Sequence, residues 1–111
     1  MVGGLEVSAI VLEERVVVAP QELGLDSRIE FRREAFSCVD NMPRGAGRLV
    51  IDLNATRSVD STGLGALIMV QRRAANRRVQ VKLIGVNEEL RFLLVLTKVE
   101  DLFELETTDS H

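Results

Sequence analysis

A chain of 111 residues, 46% hydrophobic and 28% charged, holds enough apolar side chains for one buried core and lacks the high-charge, low-hydrophobicity signature of disorder. A net charge of −3, no Trp or Tyr and only four Phe argue against direct nucleic-acid binding, because phosphate attraction and base stacking are both weak. One Cys and one His exclude an internal disulfide and a tetrahedral metal cluster, so neither metal nor cofactor is expected.

The amino-terminal residues, Met1-Val2-Gly3-Gly4-Leu5-Glu6, lack a basic segment followed by an apolar run. No stretch approaches the roughly 20 apolar residues needed to span a bilayer. The expectation is a cytoplasmic protein without a membrane span, one domain over 1–111, with 107–111 frayed.

Apolar and alternating runs at Leu5 to Leu12 and at Arg15 to Ala19, separated by Glu13-Glu14, predict two short strands joined as a hairpin or a closely spaced pair, the second ended by Pro20. From Asp26 the period becomes helical, with Ile29, Ala35, Phe36 and Val39 on one stripe and Asp26 or Ser27 as the cap. Met42-Pro43-Arg44-Gly45-Ala46-Gly47 breaks the pattern. Arg48-Leu49-Val50-Ile51-Asp52-Leu53 then reads as a central strand, buried on both faces, with Asp52 near its carboxyl end.

A second helix is predicted from near Ser61, its apolar face carried by Leu64, Leu67, Ile68, Ala74 and Ala75. Arg72, Arg73, Arg77 and Arg78 gather at its end, where cations complement the helix dipole, and Asn76 is the expected stop. Val79 to Ile84 alternates as a further strand, Asn87 precedes a last helix through Leu90, Leu93 and Leu94, and Leu102 to Leu105 adds a short helix or edge strand. Alternation of strand and helix points to an α/β domain with largely parallel neighbours and right-handed crossovers.

Within this frame, Leu49-Val50-Ile51-Asp52-Leu53 is followed by Val59-Asp60-Ser61-Thr62-Gly63-Leu64-Gly65-Ala66-Leu67, then by Val81-Lys82-Leu83-Ile84-Gly85-Val86 and Leu96-Thr97-Lys98-Val99-Glu100-Asp101-Leu102-Phe103. In order and spacing these segments resemble the STAS family, in particular its anti-sigma factor antagonists. The resemblance implies a central mixed, mostly parallel sheet of four to five strands, with helices packed mainly on one face. It also implies a non-enzymatic switch in which Ser61 is the phosphoacceptor, with Thr62 as second candidate. The unphosphorylated form would bind an anti-sigma factor serine/threonine kinase and free a sigma factor, and a serine phosphatase would reset it.

The implied partner-binding residues are Glu22, Asp26, Asp60, Ser61, Thr62, Gly63, Leu64 and Gly65, and the implied assembly state is a monomer or weak homodimer. An alternative is a STAS subunit of a larger assembly, a stress-signalling scaffold or a lipid-transport complex. Where family antagonists carry Gly-Glu-Leu/Ile-Asp, this chain has Ala19-Pro20-Gln21-Glu22-Leu23-Gly24-Leu25-Asp26, which keeps the acidic and apolar character. Lys98, and Asn76-Arg77-Arg78, stand where many relatives have glycine-containing turns, so the loops there are expected to differ.

Read from the residues alone, Ser61 is a helix N-cap worth about 1 kcal/mol, a role compatible with phosphorylation. Free amides at the helix start could then hold the phosphate. Asp60 is either a plain cap or an orienting group. Gly63 and Gly65, without a phosphate-loop lysine nearby, are expected to permit close packing against a strand or a partner. Cys38 is expected to be a small core residue.

Overall fold

The computed structural model describes residues 11–107. The predicted strand over Leu5 to Leu12 lies almost wholly outside them, as do the tail residues 108–111. Four strands, β1 (Glu13–Val18), β3 (Gly47–Asp52), β5 (Gln80–Val86) and β6 (Glu104–Thr107), form one sheet in the order β1-β3-β5-β6, every neighbouring pair parallel. Two-residue strands β2 (Glu22–Leu23) and β4 (Ser58–Val59) form a separate parallel pair. Three helices, α1 (Arg28–Asp40), α2 (Ser61–Asn76) and α3 (Glu88–Leu96), and a 3-10 turn at Glu100–Leu102 complete the chain.

The Leu49-Val50-Ile51 run puts β3 at the centre, where all three residues are buried. Outside the run the strands alternate. Val17, Leu49, Ile51, Val81 and Leu83 join the core with α1 and α2, whereas Val16 and Val18 are exposed. The opposite row carries charge, with Arg48 paired to Glu14 and Glu104 and Lys82 paired to Glu106. Glu13 and Glu14, predicted to separate two strands, instead begin β1, because their register beside Gly47 and Arg48 gives them strand partners and a cation.

The helical stripes also shift. In α1 the buried residues are Phe31, Ala35 and Val39; Ile29 is exposed and Phe36 only half buried. A spacing of four residues follows one helix face, and Phe31 anchors it in place of Ile29. In α2 the buried set includes Ala66 and Val70, while Ala75 faces solvent. Cys38 is partly buried against the core.

Both later helices end in the same way. Arg78 N–H donates to Ala75 and Val79 N–H to Ala74, while Lys98 N–H donates to Val95 and Val99 N–H to Leu94. These are paired Schellman closures, in which the residue after the cap takes a left-handed conformation. Arg78 (φ 56°) and Lys98 (φ 62°) take it despite their side chains. The loop geometry that glycine favours is thus kept at both places, and Arg78, rather than Asn76, is the left-handed residue.

Two of the four arginines near the end of α2, Arg73 and Arg77, have structural work. Arg73 makes two hydrogen bonds to the Asp40 carboxylate, at 3.0 and 2.8 Å, and stacks over Phe36 at 4.5 Å. Arg77 donates to the carbonyls of Val39 (3.1 Å) and Met42 (2.9 Å), closing the end of α1. No helix among the described residues is long and apolar enough to cross a membrane.

Candidate functional site

In a parallel sheet, loops that follow strand ends converge on one edge, and that edge is where sites are built. Here the segment after β1 and the segment after β3 meet. Thr56 Oγ1 donates to the Pro20 carbonyl (2.8 Å), Arg57 N–H to Gln21 (2.7 Å) and Asp60 N–H to Leu23 (3.2 Å). Glu22 pairs with Ser58 and Leu23 with Val59. The acidic segment and the Asp-Ser-Thr-Gly segment are therefore one joined surface.

Asp60 is the N-cap of α2. Its Oδ1 accepts from the Gly63 N–H (2.8 Å) and the Thr62 hydroxyl (2.6 Å). The Thr62 hydroxyl, then the Gly63 amide, hold the carboxyl below the ordinary aspartate value, with the amides of Leu25 and Thr62 adding to the effect. The reason is that hydrogen bonds to the ionised form stabilise it.

This cap displaces one expectation. Ser61 is not the N-cap but the first residue of the helix, exposed, with its hydroxyl bonded to none of the described residues. Thr62, the second candidate, is half buried and spends its hydroxyl on Asp60. Of the first-turn amides, that of Gly63 already serves Asp60.

The two glycines of the motif separate in role. A Cβ on Gly63 would lie 2.0 Å from the Leu23 carbonyl oxygen, so only glycine allows β2 and α2 to approach so closely. A Cβ on Gly65 would meet nothing within 4 Å. The close approach expected there is not made within the described residues. Leu64 is 7% exposed and belongs to the core, so its side chain packs inward.

Glu22 and Asp26 are exposed, and with Gly24, Ser58 and Asp60 they line a shallow depression of about 200 Å³. Ser27 shapes the loop, its hydroxyl donating to Glu22 (2.7 Å) and accepting from the Gly24 N–H (3.1 Å). The structure thus gathers Glu22, Asp26, Asp60, Ser61 and Thr62 on one edge. Sequence reasoning missed Gly24, Thr56 and the β2–β4 pairing. Two-residue strands carry no periodic signal, and a threonine that bridges 36 positions leaves no local trace.

Similar proteins carry the same architecture. A STAS-domain containing protein of Pseudomonas aeruginosa is 32% identical over 73 residues, covering 66% of this chain and 69% of its own. The structure of an anti-sigma-factor antagonist (STAS) domain protein from Planctomyces limnophilus superposes with a TM-score of 0.73 at 15% identity, covering 85% of this chain and 82% of that one. The murine Solute Carrier 26 family member A9 anion transporter contains a matching portion, with a TM-score of 0.67 at 15% identity, covering 85% of this chain and 16% of the transporter. At such identities the two structural likenesses speak for the fold. The STAS domain family model matches residues 10–110, and this chain belongs to the STAS domain family.

Proposed function

We propose that this protein is a phosphorylation-controlled anti-sigma factor antagonist. In its unphosphorylated form it binds an anti-sigma factor serine kinase and frees a sigma factor for transcription. The observation that supports this reading is the exposed Ser61 hydroxyl, left uncommitted because Asp60 takes over the cap of α2.

The chemistry follows from the charges. Transfer of the terminal phosphoryl group of ATP to Ser61 Oγ forms a P–O bond, releases ADP and passes the hydroxyl proton to a base of the kinase. The product carries about −1.5 to −2 charges on an edge where Glu22, Asp26 and Asp60 already stand. A partner surface that accepts a neutral hydroxyl then faces a concentrated, poorly solvated negative charge, and binding is lost. A serine phosphatase restores the hydroxyl. Glu22 and Asp26, on the same edge, supply the acidic contacts to the kinase.

The test is binding and phosphorylation by the histidine-kinase-like ATPases encoded in the source genome. Ser61→Ala is expected to stay bound in the presence of ATP, and Ser61→Asp to bind at least about tenfold more weakly, a loss of roughly 1.4 kcal/mol. Mass spectrometry should place the phosphate on Ser61. Modification at another residue, or no recognition by any of these ATPases, overturns the reading.

A second reading is a STAS subunit of a larger assembly, such as a stress-signalling scaffold or a lipid-transport complex; the same fold occurs as a portion of a membrane transporter. Co-purification with transporter ATPase subunits, with no phosphorylated form in cells, would select it.

A further inference from the structure

The Asp60 carboxylate reaches the first turn of α2 through a space that another residue leaves open. An ideal Cβ on Gly24 would lie 2.5 Å from Asp60 Oδ2 and 2.9 Å from its Cγ. Any side chain at position 24 therefore competes with that carboxylate for the same volume, and Asp60 must move for it to fit. The reciprocal arrangement occurs across the seam, where Gly63 leaves room for the Leu23 carbonyl. The two segments interlock through a pair of missing side chains.

What occupies the helix start decides where a phosphate can go. The first-turn donors of a helix attract anions, and a phosphate on Ser61 would be covalently adjacent to them. In this chain Asp60 holds the Gly63 N–H and the Thr62 hydroxyl. The Leu25 and Thr62 amides add to the field that favours its ionised form.

We propose that Gly24 is a positioning residue for the Ser61 switch: by admitting the Asp60 carboxylate to the first turn of α2, it commits those donors and keeps a phosphate on Ser61 displayed to the partner. The proposal rests on Ser61 being the phosphoacceptor. It explains how a modification can repel a partner without being neutralised by the fold that carries it.

The experiment installs phosphoserine at position 61 during biosynthesis, so no kinase is needed, in the full chain and in its Gly24→Ala variant. The phosphorus resonance and the amide resonances of Thr62 and Gly63 are followed across the second phosphate ionisation, near pH 6. In the parent chain the phosphate should ionise no more readily than a free phosphoserine, with the Gly63 amide unmoved by it. In Gly24→Ala the Gly63 amide should titrate with the phosphate, whose acid constant rises about threefold or more as donors favour the dianion.

A Gly63 amide that titrates with the phosphate in the parent chain overturns the proposal. So does a Gly24→Ala variant that leaves both signals unchanged. If Gly24→Ala does not fold, the substitution is placed in an Asp60→Ala background, where the competing carboxylate is absent. There the doubly substituted protein should fold and match Asp60→Ala in its phosphate titration, and a mismatch or failure to fold counts against Gly24 acting through Asp60. A kinase that ignores the chain would defeat the antagonist reading while leaving the titrations as they are, so the two failures are distinguishable.

Discussion

At its carboxyl end α2 is held to α1 by arginines: Arg73 grips Asp40, and Arg77 closes the carbonyls of Val39 and Met42. At its amino end the same helix meets the β2–α1 segment through the Asp60 N–H, which donates to the Leu23 carbonyl, and Gly63 and Gly24 leave room for the two segments to approach. Both ends satisfy their backbone and bring distant segments together. The difference lies in what is left over. The arginine end spends its specific groups on the protein itself, whereas the Asp60 end leaves an exposed hydroxyl, Ser61, directly after an aspartate that lines one depression with Glu22 and Asp26. A cap supplied by the preceding residue frees the next one for chemistry, which is why the amino end is the candidate site and the carboxyl end is scaffold.

The largest effect should come from Gly63→Ala. Its Cβ would strike the Leu23 backbone at 2.0 Å, which a side-chain rotation cannot relieve, and overpacking of this kind costs about 1–3 kcal/mol or more. Urea unfolding should show a lowered midpoint. A midpoint equal to the parent's would mean that the seam between β2 and α2 opens easily.

At the other end Arg77→Ala should cost about 1.5–3 kcal/mol, the usual value of charge-assisted hydrogen bonds to carbonyls, while leaving partner binding intact in the fraction that folds. A loss of affinity in the folded protein would show that the arginine end also meets the partner.

Acid titration compares the two ends directly. Asp60 is held below its ordinary value of 3.8 by Thr62 and Gly63, and Asp40 below the same value by its hydrogen bonds to Arg73. Each folded carboxyl binds its proton less readily than the unfolded one. The stabilisation is therefore complete above the ordinary value and is lost as the pH falls through the lower folded value. Asp60→Asn and Asp40→Asn should each flatten the loss of stability below about pH 4, measured by denaturant midpoints at a series of pH values. Only Asp60→Asn should also alter partner binding, and equal effects of the two on binding would erase the proposed distinction between the ends.

The smallest effect, and one of opposite sign, is expected at the two helix closures. Arg78→Gly and Lys98→Gly should each stabilise the fold by about 1 kcal/mol, because a left-handed conformation costs a side-chain-bearing residue roughly 1–2 kcal/mol and the greater freedom of glycine in the unfolded chain returns part of the gain. Thermal unfolding of the two variants checks this. Arg78 lies at the arginine end, so its replacement should raise stability without touching the proposed switch at Ser61.

Local pattern was enough to establish much of this protein. The continuous Leu49-Val50-Ile51 run announced a central strand buried on both faces, alternation at Val79 to Ile84 announced β5, and Asn87 announced the start of α3, whose cap it is. These features depend on neighbours within a few positions, where periodicity and capping chemistry operate. The motif from Asp60 to Gly65 likewise marked the start of α2 and the serine worth watching.

What tertiary structure alone decided was the division of labour inside that motif. Of the two caps the sequence offered, Asp60 and Ser61, the fold uses Asp60, whose carboxylate occupies space that Gly24, 36 positions earlier in the chain, leaves open. Gly63 is indispensable because the Leu23 carbonyl sits against it, and Gly65 is not so constrained. Such roles are set by atoms brought together from separate segments, and a chain read one neighbourhood at a time holds no record of which carbonyl will face which glycine.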